Sequence, residues 1–267
     1  MNPLFDQCPA EVPLTRAPLD RAICQIRFPP IMSIGRDEFV ASFQESLRQH
    51  YPLITQQMAQ RMQFVLPGSD APISMIPPTR SYRFSSADQN WHITLCQDFL
   101  AVETTRYTNR TEFLQRITDA CRTLEMHIHP THVTRLGVRY IDRFRDDALE
   151  RIHEFFRPEL LGPEVVPEFR ANALQILSEG LFRTAEGFLV AKWGLLPENT
   201  TIDPTAILPE PKGSWILDLD AYSDYSDTPI PFDSASLVLG AEMLVKRIYS
   251  VFRWGVTAAF DLHFGRE

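Results

Sequence analysis

The sequence predicts an α+β fold, with antiparallel sheets and long helices packed on one face. Three observations predict it. Residues 111–144 read as a long amphipathic helix that runs through a turn at Pro130 into a strand. In the helix, Phe113, Ile117, Ala120, Leu124 and Ile128 recur at three- and four-residue spacing. In the strand the period is two: Leu136, Val138, Tyr140 and Phe144 share one face, interrupted by Asp142, and Arg135, Arg139 and Arg143 share the other. A helix with one apolar stripe must cover something, and a strand with one apolar face must be covered. The second observation is a succession of alternating stretches between residues 55 and 107, the pattern of an antiparallel meander. The third is that meander followed by long helix occurs again after residue 171, which suggests a duplicated sheet-plus-helix unit, without a residue-level repeat.

In chain order, Pro3, Pro9, Pro13 and Pro18 make residues 1–20 an extended arm, because proline fixes φ and removes a donor. Residues 21–28 alternate, with Ala22, Cys24, Ile26 and Phe28 on one face, and Pro29-Pro30 ends this first strand. Ser33 is placed to cap a helix in which Asp37 and Glu38 complement the dipole and Phe39, Phe43, Leu47 and Tyr51 step by four. A half-buried strand over 55–66 puts Met58, Met62, Phe64 and Leu66 on one side, and a loop reaches Pro78. Strands at 81–85, 91–96 and 99–107 are separated by the turn residues 87–90 and 97–98. Asn109 or Thr111 caps the long helix.

After Phe144 a short helix spans 146–156, with Leu149, Ile152 and Phe156 inward. Pro158, Gly162, Pro163 and Pro167 divide the chain into halves, 1–157 and 158–267, packed as one continuous body. Strands are expected at 171–178, 180–184 and 188–196, the last pairing back across residues 185–187. A proline-rich loop leads to a strand at 214–222, where Trp215, Leu217, Leu219 and Ala221 alternate with Ile216, Asp218 and Asp220. Asp233 or Ser234 caps a final helix with Leu237, Ala241, Leu244, Val245, Ile248, Phe252 and Phe260 on one wide face, running to about Leu262 with Gly255 as a weak point.

The bulk numbers narrow the class. A chain of 267 residues with 44% hydrophobic and 22% charged residues can bury a core without staples. A net charge of −8 disfavours nucleic acid as the main partner, since phosphate neutralisation needs a basic surface. Cys8, Cys24, Cys96 and Cys121 form no CxxC pair and read as small buried thiols. Free thiols, no signal-peptide pattern and no run of spanning length point to the cytoplasm and to no membrane partner.

Four stretches occur in this order: the first strand running into Arg27-Phe28-Pro29-Pro30, the run from Arg106-Tyr107-Thr108 to Phe113, the strand Arg135-Leu136-Gly137-Val138-Arg139-Tyr140-Ile141, and Leu217-Asp218-Leu219-Asp220. As an ordered set they resemble a family of prokaryotic proteins of about this length, described as sporadically distributed. The resemblance covers nearly the whole chain. It implies no catalytic residue, substrate or cofactor; patchy occurrence fits an accessory or defence-associated role.

Candidate sites follow from residue types. Asp218 and Asp220, at i and i+2 on a strand, project from one face, as metal-binding carboxylates of nucleotidyltransferases do. Gly213-Ser214 stands just upstream, closer than that pattern requires, and no third carboxylate is identifiable; a solvated strand face explains the alternation as well. Arg106, Arg135, Arg139 and Arg143, with Arg110, offer guanidinium forks for phosphate or carboxylate groups of a ligand, or for pairing with Glu103, Asp142, Asp218 or Asp220. His127, His129 and His132 cluster at a turn and read as surface residues. Tyr82, Trp91, Tyr140 and Trp215, on inward strand faces, are candidate walls of a small-ligand pocket. With 11 glycines and no Gly-x-Ser-x-Gly, P-loop or dinucleotide fingerprint, no catalytic nucleophile or phosphate cradle is nominated. The expectation is a non-enzymatic binding or protein-interaction component. The alternatives are a metal-dependent nucleotide or nucleic-acid enzyme on Asp218 and Asp220, and a small-ligand-binding protein. The cofactor, the partner's identity and the oligomeric state have no sequence signal.

Overall fold

The computed structural model describes residues 8–12, 14–59 and 79–265. One antiparallel sheet holds β1 (Leu19–Arg27), β2 (Leu53–Ala59), β3 (Thr79–Ser85), β4 (Trp91–Cys96), β5 (Phe99–Thr104), β6 (Arg135–Phe144), β7 (Ile176–Arg183), β8 (Phe188–Leu196) and β9 (Ser214–Asp224). The strand order is β2-β3-β4-β5-β1-β6-β9-β8-β7. The long helices are α1 (Asp37–Leu47), α2 (Arg110–His127) and α3 (Ser234–Gly255), followed by the shorter α4 (Ala258–Phe264). The order reads alike outward from the central β1–β6 pair. β1 meets β5, the strand before α2, and β6 meets β9, the last long strand before α3.

Period-two burial builds the core. Ala22, Cys24 and Ile26 of β1, Val138 and Tyr140 of β6, and Trp215, Leu217 and Leu219 of β9 share one cluster with Phe113, Ile117 and Leu124 of α2 and Leu237, Leu244 and Ile248 of α3. A smaller cluster holds Ile141 and Ile216, from the opposite sheet face, with Leu196, Ala206 and Ile207. Asn109 caps α2, its Oδ1 accepting from Glu112 N–H at 2.8 Å, and Asp233 caps α3, accepting from Ser236 N–H at 2.8 Å.

Several boundaries differ from the sequence reading. Ser33 does not cap α1. Residues Met32–Gly35 form a 3-10 turn, Arg36 takes the cap position without a side-chain bond, and Ser33 Oγ accepts from the Arg36 guanidinium at 3.0 Å. Residues 53–58 of β2 are exposed, not half-buried, because β2 ends the strand order; Met62, Phe64, Leu66 and the loop to Pro78 lie outside the described residues. The helix expected over 146–156 is two short pieces, Asp146–Glu150 and Ile152–Phe155, broken where Arg151 leaves helical geometry. Residues Pro167–Asn172 are helical, and a single strand, β7, replaces the two expected strands. Pro167 sits in the first turn, where its missing donor costs nothing. The last helix stops at Gly255, because Val256 is drawn into an extended bridge with Phe156 and Gly255 O accepts from Arg157 N–H at 2.9 Å.

Cys24, Cys96 and Cys121 are buried free thiols, and Cys8 is exposed. Burial pushes the Cys24 thiol up to about 12. Among the described residues no helix is long and apolar enough to cross a membrane.

Candidate functional site

A cavity of ≈770 Å³ opens where the helix-side face of the central strands meets the arm that precedes β1. Its floor is Tyr140 and Asp142, successive core-facing positions of β6. The β1 register shifts between Leu19 and Arg21, beside Asp142, so the floor lies at an irregular end of the central pair. Val245, Ile248 and Phe252, spaced three and four apart on α3, form an apolar wall. The turn Thr105–Arg110, between β5 and α2, forms the opposite wall, and residues 11, 12 and 14–17 form the roof.

The roof is a strap held by polar contacts. Val12 N–H donates to Tyr249 Oη at 2.7 Å, and that hydroxyl donates to Ala10 O at 3.2 Å. Glu11 pairs with Arg110, whose guanidinium lies 5.4 Å from the centre of the Tyr249 ring. Farther along, Thr15 Oγ1 donates to Gly265 O at 2.7 Å and Arg16 N–H to Phe264 O at 3.2 Å. These contacts are largely exposed, so the strap belongs to the low-stability part of the molecule. Tyr249→Phe removes the acceptor of Val12 N–H, and hydrogen exchange at that amide is expected to quicken about fivefold while exchange in β6 stays unchanged.

Inside, the polar groups gather at one end. Tyr140 Oη donates to Tyr107 Oη at 3.2 Å, and the two rings meet edge-on with centroids 5.4 Å apart. Burial raises both phenols well away from ionisation at neutral pH. Asp142 is 5% exposed. Its neighbours across the sheet are Leu19 and Leu217, and no described residue donates a hydrogen bond to it. Burial, then the like charges of Asp20 and Asp218, push its carboxyl up to about 8. Arg106 stands exposed at the rim, with no carboxylate partner among the described residues.

Arg110, nominated beside Arg106, lines the cavity too, while Arg135, Arg139 and Arg143 lie on the opposite face of the sheet, away from it. Arg139 binds Asp218 through two bonds, 2.8 and 2.7 Å, and reaches Asp203 at 2.7 Å. Burial works against the Arg139 charge, but the bonds to Asp218 and Asp203 hold its pKa above the ordinary value. Burial pushes the Asp218 carboxyl up against the pull of Arg139. Arg135 bonds Asp220 at 3.1 Å and covers the Tyr222 ring with its guanidinium 4.4 Å from the centroid. Arg143 donates to Leu208 O and Glu210 at 2.8 and 3.1 Å, leaving Nε and Nη2 without hydrogen-bond partners. The carboxylates of Asp203 and Glu210 and the Leu208 carbonyl come from the loop that crosses this face between β8 and β9.

The arginine ladder and the aspartate pair are therefore partners. Asp218 is not a solvated residue; it is 3% exposed and saturated by a guanidinium. Glu103 pairs with Arg21 and Arg83, and Asp142 with no arginine of the ladder. Of the four aromatic residues nominated for a pocket, Tyr140 lines the cavity, while Tyr82, Trp91 and Trp215 are core. His129 and His132 are exposed, and His127 hydrogen-bonds Ser46 at 2.7 Å. Ser85 Oγ and His92 Nδ1 meet at 2.7 Å in a groove on the opposite face, but Glu103, across from His92, is taken by two arginines. Among the described residues no group of three His, Cys, Asp or Glu side chains could hold a metal ion.

Sequence spacing missed Asp142 as a site. It registered as a break in an apolar row and as a candidate partner of the arginine ladder, and the break was the available signal. Arg110 was named beside Arg106, whereas Tyr107 and Tyr249 gave no signal, because the cavity joins stretches far apart in the chain. No family model matches the chain, and no curated protein matches it.

Proposed function

We propose that the protein is a non-enzymatic binding protein whose cavity takes a small, partly apolar molecule with a hydrogen-bond-donating head. The observation that carries this reading is Asp142: a carboxyl 5% exposed, facing a cavity, with no donor among the described residues. A carboxyl that receives no donor from the described residues and lines an open cavity is placed to accept one from a ligand. Val245, Ile248 and Phe252 suit an apolar body, while Asp142 and the Tyr140–Tyr107 hydroxyl pair suit the head. Of the nominated arginines, Arg106 and Arg110 line this cavity, Arg110 already paired with Glu11.

The metal-dependent enzyme reading draws less support, because Arg139 and Arg135 already neutralise Asp218 and Asp220. The resemblance to the sporadically distributed prokaryotic family, with its accessory or defence-associated role, remains part of the proposal and supplies no ligand.

The test is native mass spectrometry of protein purified from its host, followed by thermal-shift screening with small amines, alcohols and amides. A bound small molecule, lost or weakened at least about tenfold by Asp142→Leu, is expected. No bound mass and no stabilising compound would sink the reading. Equal binding by the wild type and Asp142→Leu would remove Asp142 from it.

A further inference from the structure

Strand β7 ends the strand order, and its pairing with β8 occupies one edge only. No described strand pairs the other edge. Natural edge strands are blunted by proline, bulges, shortness or rows of charge, because an open edge is a template for another strand. β7 carries eight residues and no proline. Leu177, Leu181 and Phe182 are 40%, 58% and 39% exposed, and Leu174 just before the strand is 84% exposed.

Its pattern is self-complementary. Leu177, Glu179, Leu181 and Arg183 occupy alternate positions and share one face. A two-fold axis normal to the sheet carries each face onto itself, so antiparallel self-pairing requires a residue to lie opposite its own copy. With the axis at Leu181, that leucine meets itself, and Glu179 of each chain falls opposite Arg183 of the other on the same face. On the reverse face Gly180 meets Phe182 of the second copy. Opposite charges directly across an antiparallel pair stabilise it, and like charges there destabilise it. Within one chain both charges are weakly engaged. Glu179 is 60% exposed and reaches Lys192 only at 3.5 Å. Arg183 lies 5.9 Å from the centre of the Phe188 ring and pairs with no carboxylate among the described residues.

We infer that the β7 edge binds a second copy of this chain, antiparallel, in the register that sets Glu179 against Arg183. The occupant is a second copy rather than an arbitrary extended peptide, because the strand supplies both members of the charge pair at the spacing that a two-fold axis demands. This inference does not depend on the ligand cavity, which β7 does not line.

Sedimentation velocity on the full chain tests it. The wild type is expected to be dimeric at micromolar concentration. Glu179→Arg and Arg183→Glu, each placing like charges opposite one another, are each expected to weaken the dimer about tenfold or more. The double variant E179R/R183E restores opposite charges and is expected to restore the dimer. Both positions are exposed, and unchanged circular-dichroism melts of the monomer confirm an intact fold. A wild type that stays monomeric to about 100 μM overturns the inference. A dimer that both single variants leave intact overturns it too, as does a double variant that stays monomeric.

Discussion

Asp142→Asn is expected to stabilise the protein at pH 8 by about 3–5 kcal/mol and to leave it unchanged near pH 4. The sign follows from linkage. The folded-state carboxyl is raised to about 8 from an ordinary value of 3.8, so between those limits the folded state holds a proton that the unfolded chain has released. Below about pH 4 both states are protonated and the carboxyl costs nothing differential. As pH rises toward 8 the unfolded state gains ground at up to about 1.4 kcal/mol per unit. Asparagine has nearly the same shape and never ionises, so it removes this slope. Urea unfolding at pH 4.5, 6.5 and 8 checks it: the wild type should lose stability across the series relative to the variant. Parallel pH profiles for the two proteins would mean that Asp142 already has a donor. A gain in stability coupled to loss of ligand would mark Asp142 as a group kept for binding at the expense of the fold.

The second large effect lies on the opposite face. Arg139→Met is expected to destabilise the protein by about 3–5 kcal/mol, because it leaves the Asp218 carboxylate buried without its guanidinium. Asp218 is 3% exposed, and the pair is held by two bonds below 2.9 Å. Asp220→Asn, whose side chain is 30% exposed, should cost under about 1 kcal/mol. Replacing both partners, as Arg139→Met with Asp218→Leu, should recover most of the single-variant loss, since matched apolar groups substitute for a buried ion pair at little net cost. Denaturant melts arranged as a double-mutant cycle give the coupling directly. A single-variant loss below about 1 kcal/mol would show that water reaches Asp218 and that its pairing with Arg139 is not structural.

Much of the fold was legible in the sequence, for a physical reason. The faces of β1, β6 and β9 and the stripe of α2 follow from strict periodicity, and periodicity is what burial on one face writes into a chain. Boundaries were less legible where tertiary contacts decide them. The end of α3 is set by a bridge between Val256 and Phe156 about a hundred residues away, and the strand expected from residue 171 begins only at Ile176, after the Pro167–Asn172 helix. The site was the least legible part. Arg139 and Asp218 could be nominated, but their union, which turns two candidate sites into one structural ion pair, is a matter of register between β6 and β9. Asp142 read as an imperfection, since nothing local says that the volume beside a buried carboxyl is empty.

The cavity also has a history within the making of each molecule. Its roof comes from residues 11, 12 and 14–17, its floor from Tyr140 and Asp142, and its apolar wall from Val245, Ile248 and Phe252. The strap is tied to Tyr249, Phe264 and Gly265, which leave the ribosome after all nine strands of the sheet. Residues 11, 12 and 14–17 therefore wait for residues 249–265 before they can settle, and a nascent chain that stops short of α3 lacks the apolar wall of the cavity. Under the proposed function, a ligand in the cavity favours chains in which the strap and the α3–α4 segment have found one another.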